Sequence, residues 1–257
     1  MINMQKKPKV ICMVPARLGS TRLPSKALKD IMGLPMIVHT CKRAQLAKTV
    51  DDVYLVTDTD EELKTVGEAH GIKVIMTGMP PSNATTSVAK AVENVDCDIV
   101  IVLQGDEPLV NPDHIDTITQ SLIDDPDLEI AIGATPFTKH NSLSDIKAVL
   151  DLEGNVLYCS RTDIPVTNNK GEVKEMLKLC FTVPFRKSLI QKYLTWEETP
   201  LEKIEDNHFL RLLEHGIRMR AVIIEGGKIS VDTQADLDEV RELMKEDKLR
   251  LTYMKDI

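Results

Sequence analysis

One stretch near the start of the 257-residue chain combines the residue types that bind phosphate groups. The stretch "VPARLGSTRLPSK" follows an apolar run, and its cations and small turn residues are Arg17, Gly19, Ser20, Arg22 and Lys26. Arginines fork onto phosphate oxygens, a lysine supplies a point charge, and free backbone N–H groups donate to the remaining oxygens. The stretch therefore predicts a polyphosphate site, the alternative being a solvated basic loop. It matches neither the Gly-x-Gly-x-x-Gly fingerprint nor the Walker loop.

A second stretch, "IVLQGDEPLV", places Asp106 at the end of an apolar strand. A carboxylate there is well placed to hold Mg²⁺ against phosphate oxygens. The alternative is an acidic turn that caps the next helix, but Asp113 is the residue expected to cap it.

A third stretch, "ISVDTQADLDEV", places Asp232 just before Thr233 and Asp236, which have the spacing of a capping box. Asp232 is either structural or a second metal carboxylate facing Asp106. We take the second possibility as the hypothesis, because a magnesium ion usually binds one or two protein carboxylates.

Apolar runs that alternate with amphipathic segments must position these residues. The predicted strands are VICMV, DVYLVTD, KVIMT, DIVIVLQ, EIAIGAT, KAVL, LKLCFTV and RMRAVII. The predicted helices are MIVHTCKRAQLAK, DEELKTVGEAHG, TTSVAKAVENV, NPDHIDTITQSLIDD, DNHFLRLLEHG and ADLDEVRELMKE. This alternation predicts an α/β fold with a doubly wound, mostly parallel sheet, whose ligands lie beyond the carboxyl ends of the strands. Residues 150–196 break the rhythm, so we expect an inserted antiparallel arm or lid within a single domain over residues 1–257.

Composition and charge narrow the class of protein. Hydrophobic residues make up 42% of the chain and charged residues 28%, and the net charge is -8. An acidic chain is a poor partner for nucleic acid or an anionic membrane. No signal peptide and no membrane-spanning run are predicted. The five cysteines show no metal-binding spacing, so we expect buried free thiols, no zinc site and a soluble, cytoplasmic protein.

The motifs together resemble the 3-deoxy-manno-octulosonate (Kdo) cytidylyltransferases, also called CMP-Kdo synthetases, over nearly the whole chain. The motifs that carry the resemblance are PARLGSTRLPSKAL, GLPMIVHTCKRA, LQGDEPLVNPDHID, LYCSRTDIP, LEHGIRMR and VDTQADLDEVR. The resemblance implies a Rossmann-like nucleotidyltransferase fold, a homodimer with a dimer contact in the arm, and Mg²⁺ as cofactor. It also implies that a hydroxyl of a small acidic acceptor attacks the α-phosphate of CTP and releases pyrophosphate.

The resemblance assigns three overlapping sets of residues. Nucleotide binding falls to Pro15, Ala16, Arg17, Gly19, Ser20, Arg22, Lys26, Ser82, Thr85, Gln104 and Asp106. Acceptor binding falls to Gln104, Arg161, Leu179, Val183, His208 and Phe209. The catalytic residues are Arg17, Lys26, Asp106 and Asp232, of which the two aspartates are the metal ligands.

Three stretches depart from the pattern of the family. Leu179 and Val183 stand where the family has a histidine and a tyrosine, and His208 and Phe209 stand where it has a glutamate and a glutamine. A pocket that loses polar partners loses discrimination for hydroxyl groups. The acceptor is therefore Kdo or a variant of it, with an amino- or deoxy-ulosonate, a nonulosonate or a phosphonate as alternatives.

The third departure lies near the nucleotide, where "SNATTSVAK" replaces a Ser-Gly-Thr motif and puts Ala84 in place of the glycine. We retain CTP as the expected nucleotide, with a preference for another nucleotide as the alternative. From a different class, the alternative is a non-catalytic relative that binds a nucleotide or a sugar.

Overall fold

The computed structural model describes residues 7–20, 22–78, 83–166, 175–226 and 229–254. Within these ranges the strands are β1 (Val10–Pro15), β2 (Asp30–Ile31), β3 (Leu34–Pro35), β4 (Asp52–Thr57), β5 (Lys73–Met76), β6 (Ile99–Leu103), β7 (Ile130–Phe137), β8 (Lys147–Leu150), β9 (Val156–Ser160), β10 (Met176–Cys180), β11 (Thr182–Arg186) and β12 (Met219–Ile223). The helices are α1 (Met36–Ala44), α2 (Glu61–Ala69), α3 (Ala84–Ala91), α4 (Pro112–Asp124), α5 (Lys187–Tyr193), α6 (Pro200–Glu205), α7 (Phe209–Glu214), α8 (Gln234–Glu246) and α9 (Arg250–Tyr253).

Ten of the strands form one sheet with the order β5-β4-β1-β6-β11-β7-β10-β8-β9, and β12 pairs with β7. Strands β1, β4, β5 and β6 are parallel neighbours, and β12 is parallel to β7. Among the described strands of this sheet, β9, β10 and β11 run against the others. The prediction of a doubly wound, mostly parallel sheet with an antiparallel arm agrees with this arrangement.

Alternation of side chains along β1 divides the core into two layers. Ile11 and Met13 belong to the layer that contains α3 and α5, whereas Val10, Cys12 and Val14 belong to the layer that contains α1 and α4. Successive side chains of a strand point to opposite faces, so an all-apolar strand is covered on both sides. The helices on the two faces thus fix the carboxyl ends of β1, β4 and β6 at one edge of the sheet.

The predicted strand LKLCFTV is in fact two strands. β10 lies between β7 and β8 and ends at Cys180, whereas β11 lies between β6 and β7 and begins at Thr182, so the second neighbour of the chain changes at Phe181. The whole run is apolar or nearly so, and no turn residue marks the break. The elements that were not predicted are all short, namely β2, β3, β9, α5, α6 and α9.

Helix caps agree with the predictions in one case and differ in the other. Thr233 and Asp236 form the predicted capping box of α8. The cap of α4 is Asn111, whose side chain accepts from the backbone N–H of Asp113, so the prediction that Asp113 caps this helix is wrong. An Asn at the N-cap with Pro at the first helical position is a favourable start.

The arm predicted over residues 150–196 is part of the main sheet. The hairpin β8–β9 continues the ten-stranded sheet beyond β10 and ends it with β9 at the edge. None of the helices in the described ranges has the length and apolar character needed to span a lipid bilayer.

Candidate active site

The carboxyl ends of β1 and β6 meet because the two strands are parallel neighbours. Gly105, just after β6, packs against the end of β1: a Cβ atom there would lie 2.8 Å from the carbonyl oxygen of Pro15 and 2.9 Å from Ile37 Cδ1. Real Cβ atoms do not approach so closely, so glycine is the residue that this contact permits. The contact brings the basic loop after β1 next to Gln104 and Asp106.

Two contacts bring Asp232 next to Asp106 and the basic loop. The backbone N–H of Val231 donates to the carbonyl oxygen of Asp106 at 2.9 Å, and the Ser230 hydroxyl bonds Glu107 Oε1 at 2.5 Å. Burial and the neighbouring Asp106 raise the pKa of Glu107 to about 7, although the bond from Ser230 opposes the shift. Asp232 is thereby placed beside Asp106, as the hypothesis of paired carboxylates requires.

Lys26 lies between the two aspartates. Its Nζ is 2.7 Å from Asp106 Oδ2 and 3.1 Å from Asp232 Oδ1, and Arg22 adds a contact of 3.0 Å to the same Asp232 oxygen. The Lys26 side chain is 16% exposed, so solvent screens these pairs only partly. Burial alone would lower the pKa of Lys26, but the attraction and hydrogen bonds of Asp106 and Asp232 outweigh it and raise the pKa.

A cavity of about 410 Å³ opens above these residues, and we call it the nucleotide cavity. The predicted nucleotide-binding residues that line it are Pro15, Ala16, Arg17, Gly19, Ser20, Arg22, Lys26, Gln104 and Asp106. Thr85 does not line it, because its side chain is 1% exposed and lies in the interior. Ser82 lies outside the described residues.

Residues that line the nucleotide cavity but are not among the predicted binding residues include Asp58, Asn83, Ala84 and Ser87. Asp58 follows β4 directly, so the rule that a ligand lies beyond the strand ends could have found it. The other three lie at the start of α3, where the Asn83 side chain caps the helix by accepting from the Thr86 N–H at 2.9 Å. The prediction that Thr85 contacts the nucleotide is wrong, because Thr85 is on the inward side of α3.

A second, larger space of about 700 Å³ adjoins the first, and we call it the acceptor cleft. Both spaces are lined by Arg22, Gln104, Asp106, His208 and Asp232. The paired carboxylates therefore stand at the boundary between the two, where a group transferred from one ligand to another must pass.

Three charged residues of the acceptor cleft are bonded within the protein, namely Lys178, Asp145 and Arg161. Lys178 Nζ is 2.6 Å from Asp145 Oδ1, and both side chains are mostly buried. The predicted residue Arg161 lines the cleft and donates to the backbone carbonyls of Leu143, Glu205 and Asp206 at 2.7 to 3.0 Å. Its guanidinium is held in place by the protein.

The other predicted acceptor residues divide between cleft and core. His208 lines the cleft, but Leu179, Val183 and Phe209 are 0 to 2% exposed and belong to the hydrophobic core. The alternation along the strand puts Lys178 in the cleft instead of Leu179, and the turn at Phe181 puts that ring there as well. We correct the predicted contacts of Leu179, Val183 and Phe209 accordingly.

His208 presents a neutral ring to both spaces. Burial, together with the nearby Arg211 and Arg161 guanidinium groups, lowers its pKa to about 4. Its ring packs on Phe209 at 4.2 Å between centroids, and Phe209 stacks on Phe181 at 5.9 Å. At neutral pH this imidazole can exchange hydrogen bonds with a ligand without adding charge.

The donor set fits a magnesium ion better than a transition metal. No group of three or more His, Cys, Asp or Glu side chains in the described ranges has the arrangement of a metal site. Mg²⁺ is usually bound by one or two carboxylates together with substrate phosphates, and Asp106 and Asp232 lie close enough together that both contact the Lys26 ammonium group. These two residues could hold it.

Comparisons with known proteins agree with this geometry. The family model for cytidylyltransferases matches residues 11–222. The 3-deoxy-manno-octulosonate cytidylyltransferase of Escherichia coli is 35% identical over 241 residues, which cover 93% of this chain and 97% of that protein. The enzyme of the same name from Chloroherpeton thalassium is 34% identical over 241 residues, covering 92% and 98%.

Solved structures give the same result. CMP:2-keto-3-deoxy-manno-octonic acid synthetase complexed with CTP superposes with a TM-score of 0.88 at 35% identity, covering 93% of this chain and 99% of that one. The 4-diphosphocytidyl-2C-methyl-D-erythritol synthase of Anaerococcus prevotii has a TM-score of 0.63 at 15% identity, covering 94% and 100%, and shows a shared fold alone. The family match, the relatives above 30% identity and the two adjoining clefts lead to one conclusion: this chain belongs to the cytidylyltransferase family.

Proposed function

We propose that this chain uses Mg²⁺ to transfer CMP from CTP to a small acidic sugar of the 3-deoxy-manno-octulosonate class. The observation that carries the proposal is the position of Asp106 and Asp232, paired through Lys26 at the boundary of the two clefts. Relatives named for this acceptor, and a CTP complex among the structural neighbours, support the assignment.

The chemistry divides among the residues as follows. An acceptor hydroxyl oxygen bonds to the α-phosphorus of CTP, and the bond from that phosphorus to the pyrophosphate oxygen breaks. Arg17, Arg22 and Lys26 face the triphosphate and neutralise the leaving pyrophosphate, and Gln104 touches both ligands' spaces. When bound by Asp106 and Asp232, Mg²⁺ would offset phosphate charge. Positioning and electrostatics of this kind account for most of the catalysis of phosphoryl transfer.

A second candidate acceptor is an acid that differs from Kdo in its substituents. The cleft wall contributed by β10, Phe181 and His208 consists of an aromatic ring, a neutral imidazole and a lysine already paired with Asp145. Such a wall offers few free hydrogen-bonding groups for sugar hydroxyls, which favours a less hydroxylated or differently substituted acid.

The deciding experiment measures pyrophosphate release with Mg²⁺ over four nucleoside triphosphates and a panel of acids. The panel holds Kdo, 8-amino-Kdo, nonulosonic acids and small phosphonates. Release with CTP and Kdo supports the main proposal, and release with CTP and another acid supports the second. CTP binding without turnover of any acid would instead indicate a non-catalytic, nucleotide-binding relative.

Two further proposals concern the molecule as a whole. We propose a homodimer formed through the arm, because β9 is an edge strand and Leu157 on it is 63% exposed. We also propose a cytoplasmic location, because all five cysteines lie in the described ranges as free thiols and four are buried. Free buried thiols suit a reducing compartment.

A further inference from the structure

A lysine that belongs to neither ligand cavity links two segments that line the acceptor cleft. Lys147, at the start of β8, has a side chain that is 0% exposed, and it is absent from the described lining of both spaces. A fully buried lysine is uncommon and requires partners for its charge and its donors.

The three donors of its ammonium group are all used by backbone carbonyls. Nζ donates to the carbonyl oxygen of Ser142 at 2.7 Å, to that of Asp145 at 2.8 Å, and to that of Arg161. The counter-charge comes from Asp163, whose Oδ1 lies 3.7 Å away. An ammonium has three N–H donors, so this set of acceptors satisfies it completely.

Two of these three carbonyls belong to residues whose side chains face the acceptor. Asp145 and Arg161 both line the cleft, and they come from separate segments of the chain. The Asp145 carboxylate is bonded by Ser142 Oγ at 2.6 Å and paired with Lys178. Arg161 donates in turn to the carbonyl of Leu143. Lys147 therefore ties the backbones of two acceptor-facing groups to one buried charge.

We propose that Lys147 is a positioning residue for the acceptor, which sets the distance between Asp145 and Arg161 across the cleft. This inference rests on the proposed function and adds a residue that touches neither substrate. Removing the ammonium takes the shared donor from all three carbonyls and weakens the link between the two segments, which the bond from Arg161 to Leu143 and the pairing of β8 with β9 still hold. A displacement of about 1 Å in groups that position a substrate can lower activity roughly 100-fold.

A purely structural buried cation provides the matched control. Arg43 is 2% exposed, donates to the carbonyl of Val110 at 3.2 Å and pairs with Asp247. Neither of those partners lines the acceptor cleft. Replacing Arg43 with Met removes a buried charge of the same sign without loosening the wall of the cleft.

The test compares wild type, Lys147→Met and Arg43→Met. Steady-state pyrophosphate release with Kdo gives kcat and KM for the acceptor, and calorimetry with CTP and Mg²⁺ gives the nucleotide Kd. We expect Lys147→Met to raise the KM for Kdo about 10- to 100-fold with an unchanged Kd for CTP. Arg43→Met lowers the unfolding temperature and leaves that KM unchanged. An unaltered KM in Lys147→Met, or the same rise in both variants, overturns the inference.

A second measurement separates this inference from the proposed function. If wild type does not convert Kdo, the proposed acceptor is wrong. Hydrogen exchange then tests whether Lys147 holds the two segments of the cleft wall in place. Exchange must rise in residues 139–146 and 159–163 of Lys147→Met but not of Arg43→Met, and unchanged protection there overturns the inference. If Lys147→Met does not fold, Asp163→Asn is measured in its place, because it removes the counter-charge of Lys147. It must also raise the KM for Kdo with an unchanged Kd for CTP, but by a smaller factor.

Discussion

At the scale of single residues, the site depends on a cation held between two carboxylates. Asp106 and Asp232 would repel each other, and Lys26 offsets that repulsion at 2.7 and 3.1 Å. The same two carboxylates are the metal ligands of the proposed reaction. The loss of either charge therefore weakens both the binding of the metal ion and the contacts that place Lys26.

We predict that Asp232→Asn lowers kcat about 100- to 1,000-fold, because it removes charge stabilisation at the reacting phosphate. The matched control is Asp238→Asn, which changes an exposed aspartate of α8 that contacts Arg241 and Gln234 of the same helix. Steady-state pyrophosphate release measures both. Similar kcat values for wild type and Asp232→Asn would argue against a catalytic carboxylate at this position.

A pair of glycine variants tests the close contact between β1 and the loop after β6. Gly105→Ala puts a methyl group 2.8 Å from the Pro15 carbonyl oxygen, and overpacking of this kind typically destabilises by about 1–3 kcal/mol. Gly19→Ala meets nothing within 4 Å and has no left-handed backbone, so the free energy of unfolding stays close to that of wild type. Urea denaturation gives both values. Equal destabilisation by the two variants would contradict the argument.

Many of the site residues could be predicted from the sequence, for a physical reason that also explains the failures. Ligands lie beyond strand ends in this class of fold, and that rule located Arg17, Gln104 and Asp106. The rule says nothing about which side of an apolar strand faces a cleft. Leu179 was therefore assigned to the acceptor although its neighbour Lys178 is the residue that lines the cleft.

At the scale of elements, the alternation of apolar runs and amphipathic segments predicts most strands and helices, but it does not predict which strands pair with one another. The run over β10 and β11 looks like one strand, because both halves are apolar and are buried between neighbours. Its division at Phe181 depends on which strands lie beside each half: β7 and β8 for the first, and β6 and β7 for the second. Pairing between distant segments is a tertiary property, and one sequence does not reveal it.

Asp145 and Asp163 hold residues 139–146, which we call the acceptor loop, and make its stability depend on pH. Burial would raise the pKa of Asp145, but the bonds from Lys178 and Ser142 lower it below its ordinary value of 3.8. The backbone N–H of Asn141 lowers the pKa of Asp163, against a smaller effect of burial. A lowered pKa in the folded state contributes stability above the ordinary value, and this contribution is lost as the pH falls through the lowered value.

We therefore predict that Asp145→Asn destabilises by about 1–3 kcal/mol at pH 6, since it weakens a partly buried, charge-assisted pair. The difference from wild type shrinks as the pH falls below about 4, because the unfolded chain then binds a proton at Asp145 near its ordinary pKa, whereas the folded protein does so only at a lower pH. Urea midpoints at a series of pH values measure this difference. A difference that does not vary with pH would show that the charge of Asp145 is irrelevant to the loop.

At the scale of the whole molecule, the sheet ends in an edge strand that carries an exposed leucine. Edge strands offer unpaired backbone groups to a second chain, and Leu157 of β9 adds apolar surface. We predict that wild type elutes with the mass of two chains in size-exclusion chromatography with light scattering, and that Leu157→Glu elutes with the mass of one. Leu243→Glu, on α8, is the control that stays dimeric. A monomeric wild type would rule out the proposed homodimer.

The bond between Val231 and Asp106 has a consequence for the synthesis of the protein. Lys26 and its C-terminal partner Asp232 are 206 positions apart, so the basic loop leaves the ribosome long before the second carboxylate exists. Domains begin to fold from the N-terminal side during translation. The sheet around β1 and β6 can therefore form in a nascent chain that still lacks half of the proposed ion-binding pair. Such a chain cannot carry out the proposed transfer, and catalysis begins only once translation has passed residue 232.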